Sequence, residues 1–156
     1  MTGIALRPAT ADDCARVWAF NFAPDVRAVS GDARLVDLDE HTRWYQRRLQ
    51  RDDSPMWIVE AAGLPVGVVR VDRMADGAGR ISIALAKDAR GRGIGRQSIA
   101  AACATWDACS DAPIVAHIRL DNQHSRAAFE SCGFVMFAQV DNLALYRRHS
   151  ATREIT

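Results

Sequence analysis

The sequence predicts one α/β (α+β) domain in which helices cover a mixed sheet. Strand-like and helix-like stretches alternate along the chain, and three strand-like stretches follow one another in its middle, separated only by short turns. The chain has 156 residues, 49% of them hydrophobic. A chain of this size buries roughly 68–70% of its unfolded surface, enough for a single core. We place the domain at residues 1–149 and a tail at residues 150–156.

The N-terminal segment predicts a short strand and a first helix. Residues 4–7 form the strand candidate, which Pro8 ends. Thr10 is expected to cap the helix, because a threonine hydroxyl accepts a bond from a backbone N–H of the first turn. Asp12 and Asp13 then lie in that first turn, where acidic side chains favour the helix dipole.

Residues 22–38 show no periodicity and form the longest irregular stretch. Long loops in compact domains often carry function. Asp37, followed three residues later by Glu40, forms a capping-box pattern that predicts a second helix through Gln50. His41 and Trp44 fall at helical intervals within it.

The middle of the chain predicts an antiparallel meander. Its strand candidates are residues 56–60, 66–71 and 80–85, with turns at residues 63–65 and 76–79. An alanine-rich helix over residues 94–109 and a buried strand over residues 114–120 come next. A short helix over residues 122–132 ends at Gly133, and strands at 134–140 and 143–147 complete the chain. The total is about seven strands and about four helices.

The loop that reads Arg90-Gly91-Arg92-Gly93-Ile94-Gly95 lies between a predicted strand and a predicted helix. Glycines let the backbone turn its N–H groups into one concavity, and the helix start adds unpaired N–H groups and a positive dipole end. Such a loop binds phosphate. A Walker loop requires a lysine after its last glycine, and here Arg96 follows Gly95. A dinucleotide-binding fingerprint follows a strand of a parallel unit, whereas this loop follows an antiparallel meander, so both motifs are disfavoured. The other interpretation is a connector with solvent-exposed arginines.

Two motifs together resemble the GNAT family of N-acetyltransferases. Arg90-x-x-Gly93-x-Gly95 resembles the loop that binds the acyl-CoA pyrophosphate in that family. Asn122-x-x-Ser125, Phe129 and Cys132-Gly133-Phe134 resemble its second signature. The element order matches the family fold over nearly the whole chain. The resemblance implies acetyl-CoA as acyl donor, an amine as acceptor, and a sheet splayed between its fourth and fifth strands.

The resemblance also implies individual roles around the cofactor. The pyrophosphate would be bound by Arg96 and by the backbone N–H groups of Arg90, Gly91, Arg92, Gly93, Ile94 and Gly95. Backbone groups of Ile83 and Leu85 would bind pantetheine, and Asn122 would lie near pantetheine or the departing thiolate. Ser125 and Phe129 would line the far side. The family often has a tyrosine at the position of Phe129, whose hydroxyl protonates the thiolate, and phenylalanine cannot do so.

No residue stands out in the sequence as the base that deprotonates the amine. His117, on the fifth strand, is the catalytic candidate, with a structural role as its alternative. Glu60 and Asp72 are weaker candidates. Alignment alone supplies about 7–11 kcal/mol, so a site with no strong base is also consistent with the chemistry.

His41 and Trp44 are the candidates for acceptor binding, because the second helix forms the acceptor wall in the family. Together with neighbouring segments they resemble the branch that acetylates nucleotide-linked amino sugars. A diphosphate there would meet arginines of the irregular stretch or the helix, namely Arg27, Arg34, Arg43 or Arg47. The alternative for His41 and Trp44 is ordinary packing of an amphipathic helix.

Two other functions remain open: acetylation of a protein N-terminus or lysine, and a non-catalytic acyl-CoA-binding module. Twenty basic and 19 acidic residues argue against nucleic-acid binding, and no stretch of 18 apolar residues predicts a membrane span. The four cysteines form no C-x-x-C pair, so we expect no metal site. We therefore expect a cytoplasmic enzyme that acts on a small-molecule amine. By analogy with similar proteins, we expect it to form a homodimer.

Overall fold

A computed structural model of the protein describes residues 3–23 and 36–150. Its strands are β1 Ile4–Pro8, β2 Met56–Ala61, β3 Leu64–Arg73, β4 Gly79–Leu85, β5 Ile114–Arg119, β6 Val135–Val140 and β7 Leu143–Arg148. Its α-helices are α1 Cys14–Phe22, α2 Leu38–Leu49, α3 Ile94–Cys109 and α4 Gln123–Ser131. Short 3-10 turns lie at Ala11–Asp13 and Lys87–Ala89.

The seven strands form one sheet in the order β1-β2-β3-β4-β5-β7-β6. All neighbours are antiparallel except β4 and β5, which are parallel. A parallel pair needs a crossover, which α3 provides between them. The predicted fold class is confirmed: a single domain with a mixed, mostly antiparallel sheet and flanking helices.

The sheet separates two apolar cores. Successive side chains of a strand point to opposite faces, so Val69 and Ile81 pack under α3 and α4. Val68, the neighbour of Val69, and Ala84, which pairs with Val68, pack under α1 and α2 instead, against Val17. The second face of β3 and β4 therefore meets the two N-terminal helices.

Local chemistry sets the element ends. Asp37 caps α2 by accepting a bond of 2.8 Å from the Glu40 N–H, as predicted. The helix predicted from Thr10 starts as a 3-10 turn, and α1 itself begins at Cys14. The β2–β3 turn lies at Ala62 and Gly63, whose φ angles of 53° and 78° are typical of a two-residue hairpin turn. This is earlier than the predicted residues 63–65.

Some sequence predictions fall outside the described residues. Arg27 and Arg34 belong to the segment 24–35, and the predicted tail is described only at Ser150, whose side chain is buried. Within the described ranges, no helix combines the length and the apolar character needed to cross a membrane.

Candidate active site

Strands β4 and β5 separate soon after they meet. They pair only at Gly79 with Ile114 and at Arg80 with Val115, and the Gly79 N–H donates to the Pro113 carbonyl at 2.9 Å. Beyond Arg80 the register records no further pair between these two strands. A wedge-shaped opening therefore lies between them, as the resemblance implied.

The backbone of β4 points polar groups into this opening at alternate residues. The bond of 2.8 Å from the Ala86 N–H to the Val66 carbonyl sets the phase of the β3–β4 ladder. Ser82 and Ala84 share that phase and face β3, so the N–H and carbonyl of Ile83 and Leu85 face β5. Backbone groups that face a gap need a partner, which an extended amide-containing ligand supplies.

The glycine-rich loop lies at the far end of β4. Gly91 and Gly93 have φ angles of 74° and 77°, a region that side-chain-bearing residues rarely adopt. Gly93 caps α3, and Ile94 is fully buried and fixes the helix start in the core. Ile94 can therefore reach a ligand only through its backbone. Adjacent N–H groups at a helix start form an anion site.

The arginines of the loop have different surroundings. Arg90 donates from Nη2 to the Leu85 carbonyl at 2.9 Å, so its guanidinium is directed toward β4. Arg92 and Arg96 are exposed, and Arg92 Nη1 donates to the Asp88 carbonyl at 3.3 Å. An anion at the loop therefore has two solvent-facing guanidinium groups within the same segment, and Arg90 serves the geometry of the turn.

A cleft of about 630 Å³ adjoins the opening and is bordered by α1, α2, β3, β4, β5 and the start of α4. It brings together nine residues that the sequence proposed for the site, which are His41, Trp44, Arg47, Asp72, Ile83, His117, Asn122, Ser125 and Phe129. Leu85 and the loop are not part of its lining and lie at the C-terminal end of β4. The geometry thus joins a phosphate-type loop, a strand edge and a cleft.

Residues 4–135 match the family model described as an acetyltransferase (GNAT) domain. The chain belongs to the GNAT family. It is therefore an N-acetyltransferase, and its acyl donor is acetyl-CoA. No curated protein sequence matches this chain.

Solved structures share this GNAT fold. A domain from Methanocaldococcus jannaschii has a TM-score of 0.83 at 22% identity, over 96% of this chain and 99% of that one. The putative acetyltransferase yncA from Salmonella typhimurium, solved with acetyl-CoA, has 0.79 at 22%, over 94% and 93%. Spermidine N-acetyltransferase from Vibrio cholerae, with CoA and spermine, has 0.76 at 18%, over 92% of each chain. At these identities the likeness concerns the fold.

Of the base candidates in this GNAT domain, His117 has the suitable environment. It is half-buried on β5 and lines the cleft, and burial together with the positive charge of Arg80 lowers its pKa below 6.5. The imidazole is therefore neutral at pH 7 and able to accept a proton. Glu60 does not line the cleft and bonds to Arg7 at 3.4 Å.

Asp72 lines the cleft but is held by cations. Arg48 Nε donates to one carboxylate oxygen at 2.6 Å, and Arg70 Nε donates to the other at 3.0 Å. Against the effect of burial, these two guanidinium groups lower the pKa of Asp72. A carboxylate with a low pKa is a weak base, so Asp72 does not suit proton abstraction.

His41 and Trp44, the candidates for acceptor binding, occupy different positions in the wall of the cleft. His41 is 1% exposed, its Nε2 donates to the Cys14 carbonyl at 3.0 Å, and its ring packs against Phe22 and Tyr45. This environment favours the packing alternative for His41. Trp44 is half-buried, and the Arg70 guanidinium lies 5.2 Å from its ring centroid.

The position where many GNAT enzymes have a tyrosine is a phenylalanine in this chain. Phe129 is buried and packs edge-to-face on Phe134, with ring centroids 5.0 Å apart. The chain has two tyrosines. Tyr45 donates to the Thr10 carbonyl at 2.6 Å and Tyr146 to Glu130 at 2.8 Å, and neither lines the cleft. The structure thus offers no phenol to protonate the thiolate.

Asn122 combines two positions that matter here. Its side-chain oxygen accepts a bond of 3.2 Å from the Ser125 N–H and caps α4. The residue also lies three positions after the end of β5, the strand across the opening, and lines the cleft. Because the oxygen is engaged in the cap, a contact with the cofactor would come from the amide nitrogen.

The sequence did not single out Arg70 as a site residue, although a signal was present. Arg70, Asp72, Arg80 and Ser82 occupy alternate positions of two paired strands and line the cleft. These four polar residues lie on the same sheet face as the buried Val68 and Ala84. Polar side chains at every second position indicate that the helices do not cover this part of the face.

Proposed function

We propose that the protein transfers the acetyl group of acetyl-CoA directly to the primary amine of a small molecule bound in the cleft. The observation that carries this proposal is the opening between β4 and β5, which connects the glycine-rich loop to the cleft. In it, the loop binds the pyrophosphate, and Ile83 and Leu85 bind pantetheine through their backbone. Asn122, Ser125 and Phe129 border the cofactor on the other side.

The proposed reaction forms a C–N bond and breaks a C–S bond. The amine lone pair attacks the thioester carbonyl carbon, and the β4 N–H of Ile83, near Leu85, stabilises the charge that develops on the carbonyl oxygen. Collapse of this intermediate expels the CoA thiolate and leaves the acetamide. A thiol of pKa about 8.5 leaves as a thiolate without a proton donor, which is consistent with Phe129.

We assign to His117 the role of general base, which accepts the proton that the amine must lose. The neutral imidazole, its exposure to the cleft and its place on the strand across the opening support this role. Protonated His117 then returns the proton to solvent. Positioning of the amine against the thioester supplies the larger part of the rate enhancement.

The volume of the cleft supports a small-molecule acceptor, since sites of about 300–1,000 Å³ are typical for such ligands. Nucleotide-linked amino sugars are one acceptor class that we propose to test. Trp44 on the wall and the arginines of the cleft support a sugar-diphosphate. A protein N-terminus or a lysine peptide is the competing acceptor, and a silent acyl-CoA-binding module is the competing function.

Two matched glycine variants test the cofactor site. Gly93→Glu places a side chain at a φ of 77° and adds a negative charge beside the proposed pyrophosphate. Gly77→Glu, in the β3–β4 turn, imposes the same change at a φ of 91°. Both variants introduce backbone strain of about 1–2 kcal/mol, but only Gly93→Glu adds charge repulsion at the proposed pyrophosphate site. We expect calorimetry to show CoA binding at least about tenfold weaker in Gly93→Glu and unchanged in Gly77→Glu.

Thiol release with a panel of UDP-amino sugars, small amines and peptides then identifies the acceptor. Release with a small amine supports the proposal, and release with peptides alone replaces it by protein acetylation. CoA binding without release on any amine supports the silent module. An equal effect of the two glycine variants on CoA binding would show that the loop does not bind the pyrophosphate.

A further inference from the structure

The acceptor side of the cleft is rich in arginine. Four arginines line the cleft against two carboxylates, Glu40 and Asp72. Asp72 is already bonded to buried Arg48 and to Arg70. Arg119 is paired with Asp121 at 2.7 Å, so the excess of positive charge over the two lining carboxylates comes from Arg47, Arg70, Arg80 and buried Arg48.

Two of these arginines lie on one face of the sheet. Arg70 pairs with Ser82 and Asp72 pairs with Arg80 in the β3–β4 register, so Arg70 and Arg80 are diagonal neighbours. The Cβ atoms of such a diagonal pair are separated by roughly 7–8 Å or somewhat less. Trp44 packs against the Arg70 guanidinium, and Arg47 lines the cleft from α2. The three guanidinium groups approach the cleft from α2, β3 and β4.

The distance from this cluster to the reacting bond suits a small molecule. Arg80 is at the closed end of the opening, and Ile83 is three residues farther along β4. A strand rises about 3.3 Å per residue, so these positions are about 10 Å apart. An acceptor with its amine at the thioester beside Ile83 would place a group several bonds away near Arg80.

We propose that the acceptor amine carries an oxyanion group, a carboxylate or a phosphate, which Arg80, Arg70 and Arg47 bind. A planar guanidinium donates two parallel bonds to either oxyanion. The same charge disfavours polyamines, whose additional ammonium groups would meet these arginines. This inference rests on the proposed acetyl transfer and defines the substrate class of that site.

The positive charge of the arginine cluster also affects the pKa values of the two histidines that line the cleft. The charge of Arg80 adds to burial in lowering the pKa of His117, and the charge of Arg70 adds to burial in lowering that of His41. The same field favours a bound anion and keeps His117 unprotonated near neutral pH.

Matched amines test the proposal by thiol release. The pairs are phosphoethanolamine with ethanolamine, glucosamine 6-phosphate with glucosamine, and glycine with glycinamide; spermidine is the cationic probe. We expect kcat/KM to be at least about tenfold higher for the anionic member of one pair or more, since a charge-assisted pair contributes about 1.5–3 kcal/mol. The phosphate and carboxylate pairs distinguish the two oxyanions.

Variants locate the effect. Arg80→Gln is expected to lower the ratio of kcat/KM for the preferred anionic amine to kcat/KM for its neutral counterpart about tenfold, because any effect of Arg80 on His117 is common to both amines. Arg43→Gln is the control, because Arg43 is an exposed arginine of α2 that does not line the cleft. Equal kcat/KM within every pair, a preference for spermidine, or an equal effect of both variants would overturn the inference and leave acetyl transfer standing.

Binding provides a readout that does not need turnover. Calorimetry of phosphoethanolamine and glucosamine 6-phosphate with the CoA-saturated protein is expected to show binding that Arg80→Gln weakens and Arg43→Gln does not. If no amine releases thiol, the proposed transfer fails, and this binding result alone decides the anion site. Absence of binding and of any anionic preference overturns it.

Discussion

Two imidazoles border the cleft, and their surroundings give them different capacities. His41 donates its Nε2 proton to the Cys14 carbonyl and is enclosed by aromatic rings, so it fixes α1 against α2. His117 lies on the strand that faces the opening. Burial lowers the pKa of both rings. Only His117 combines a neutral ring with a position beside the proposed thioester.

The His117→Gln variant tests the proton acceptor. Because the pKa of His117 is below 6.5, the imidazole is neutral at pH 7 and becomes protonated as the pH falls through that lowered value. Wild-type kcat/KM should therefore decline on that acidic limb, and the variant should lose this limb and about 100-fold in rate near neutral pH. Steady-state kinetics from pH 5 to pH 9, about the range in which histidine titrates, provide the measurement.

Retention of the acidic limb in His117→Gln would assign it to another group. His41→Gln is the comparison, because its ring nitrogen is engaged with Cys14 and it should alter stability without removing the limb. The sequence could not separate these two histidines. Helical spacing predicted packing for His41, and the family resemblance implied acceptor binding; the contacts with Cys14 and Phe22 favour packing.

At the level of elements, Arg48 attaches α2 to the sheet. Its side chain is 4% exposed and donates to the Ser54, Pro55 and Val71 carbonyls as well as to Asp72. Burial lowers the pKa of Arg48, while Asp72 opposes that change. Because α2 also carries Trp44, this attachment sets the position of the acceptor wall.

Arg48→Gln should therefore destabilise the protein. Loss of the cation removes a buried donor from three carbonyls and from one oxygen of Asp72, whose other oxygen keeps Arg70, for a decrease of about 3 kcal/mol in the free energy of unfolding. The exposed neighbour Arg47, changed to Gln, should alter that free energy by less than about 0.5 kcal/mol. Urea unfolding followed by circular dichroism compares the two, and equal values would show that the buried contacts of Arg48 do not stabilise the fold.

Periodicity predicted most elements because it reports which face is buried. The bounds of α3, Ile94–Cys109, agree with the prediction, since an alanine-rich stretch and a terminal proline leave little freedom. Arg48 shows where that signal fails. It lies three residues after buried Tyr45, on the same helical face, but its charge makes it resemble the basic face of Arg43 and Arg47. The carbonyls that bind it come from segments distant in sequence.

In the whole molecule, the sheet consists of two parts with few direct links. Strands β1 to β4 form one part and β5, β7 and β6 the other, and only two residue pairs join them directly. Sequence patterns predicted each part, but the point at which the parallel pair ends is set by tertiary packing. The expected homodimer stays a prediction.

Acetyl-CoA should join the two parts and raise thermal stability. At 100 times its Kd a ligand that binds only the folded state contributes about 2.7 kcal/mol. For a domain of this size, 1 kcal/mol shifts the melting temperature by about 2–4 °C, so we expect an increase of about 5–10 °C with CoA in a thermal-shift assay. Gly93→Glu should reduce the shift at the same CoA concentration, and Gly77→Glu should retain it. A wild-type protein with no shift would contradict the bridging role.

The early end of the β4–β5 pairing also has a consequence for solubility. The backbone N–H and carbonyl of Ile83 and the N–H of Leu85 point into the gap, whereas the Leu85 carbonyl accepts a bond from Arg90. These groups form a short internal edge, and strand edges of this kind recruit other strands. A pantetheine arm bound along this edge would form hydrogen bonds with these backbone groups and cover them. Bound CoA would thus reduce aggregation in addition to serving as a reactant. Purification in the presence of CoA would favour a monodisperse preparation.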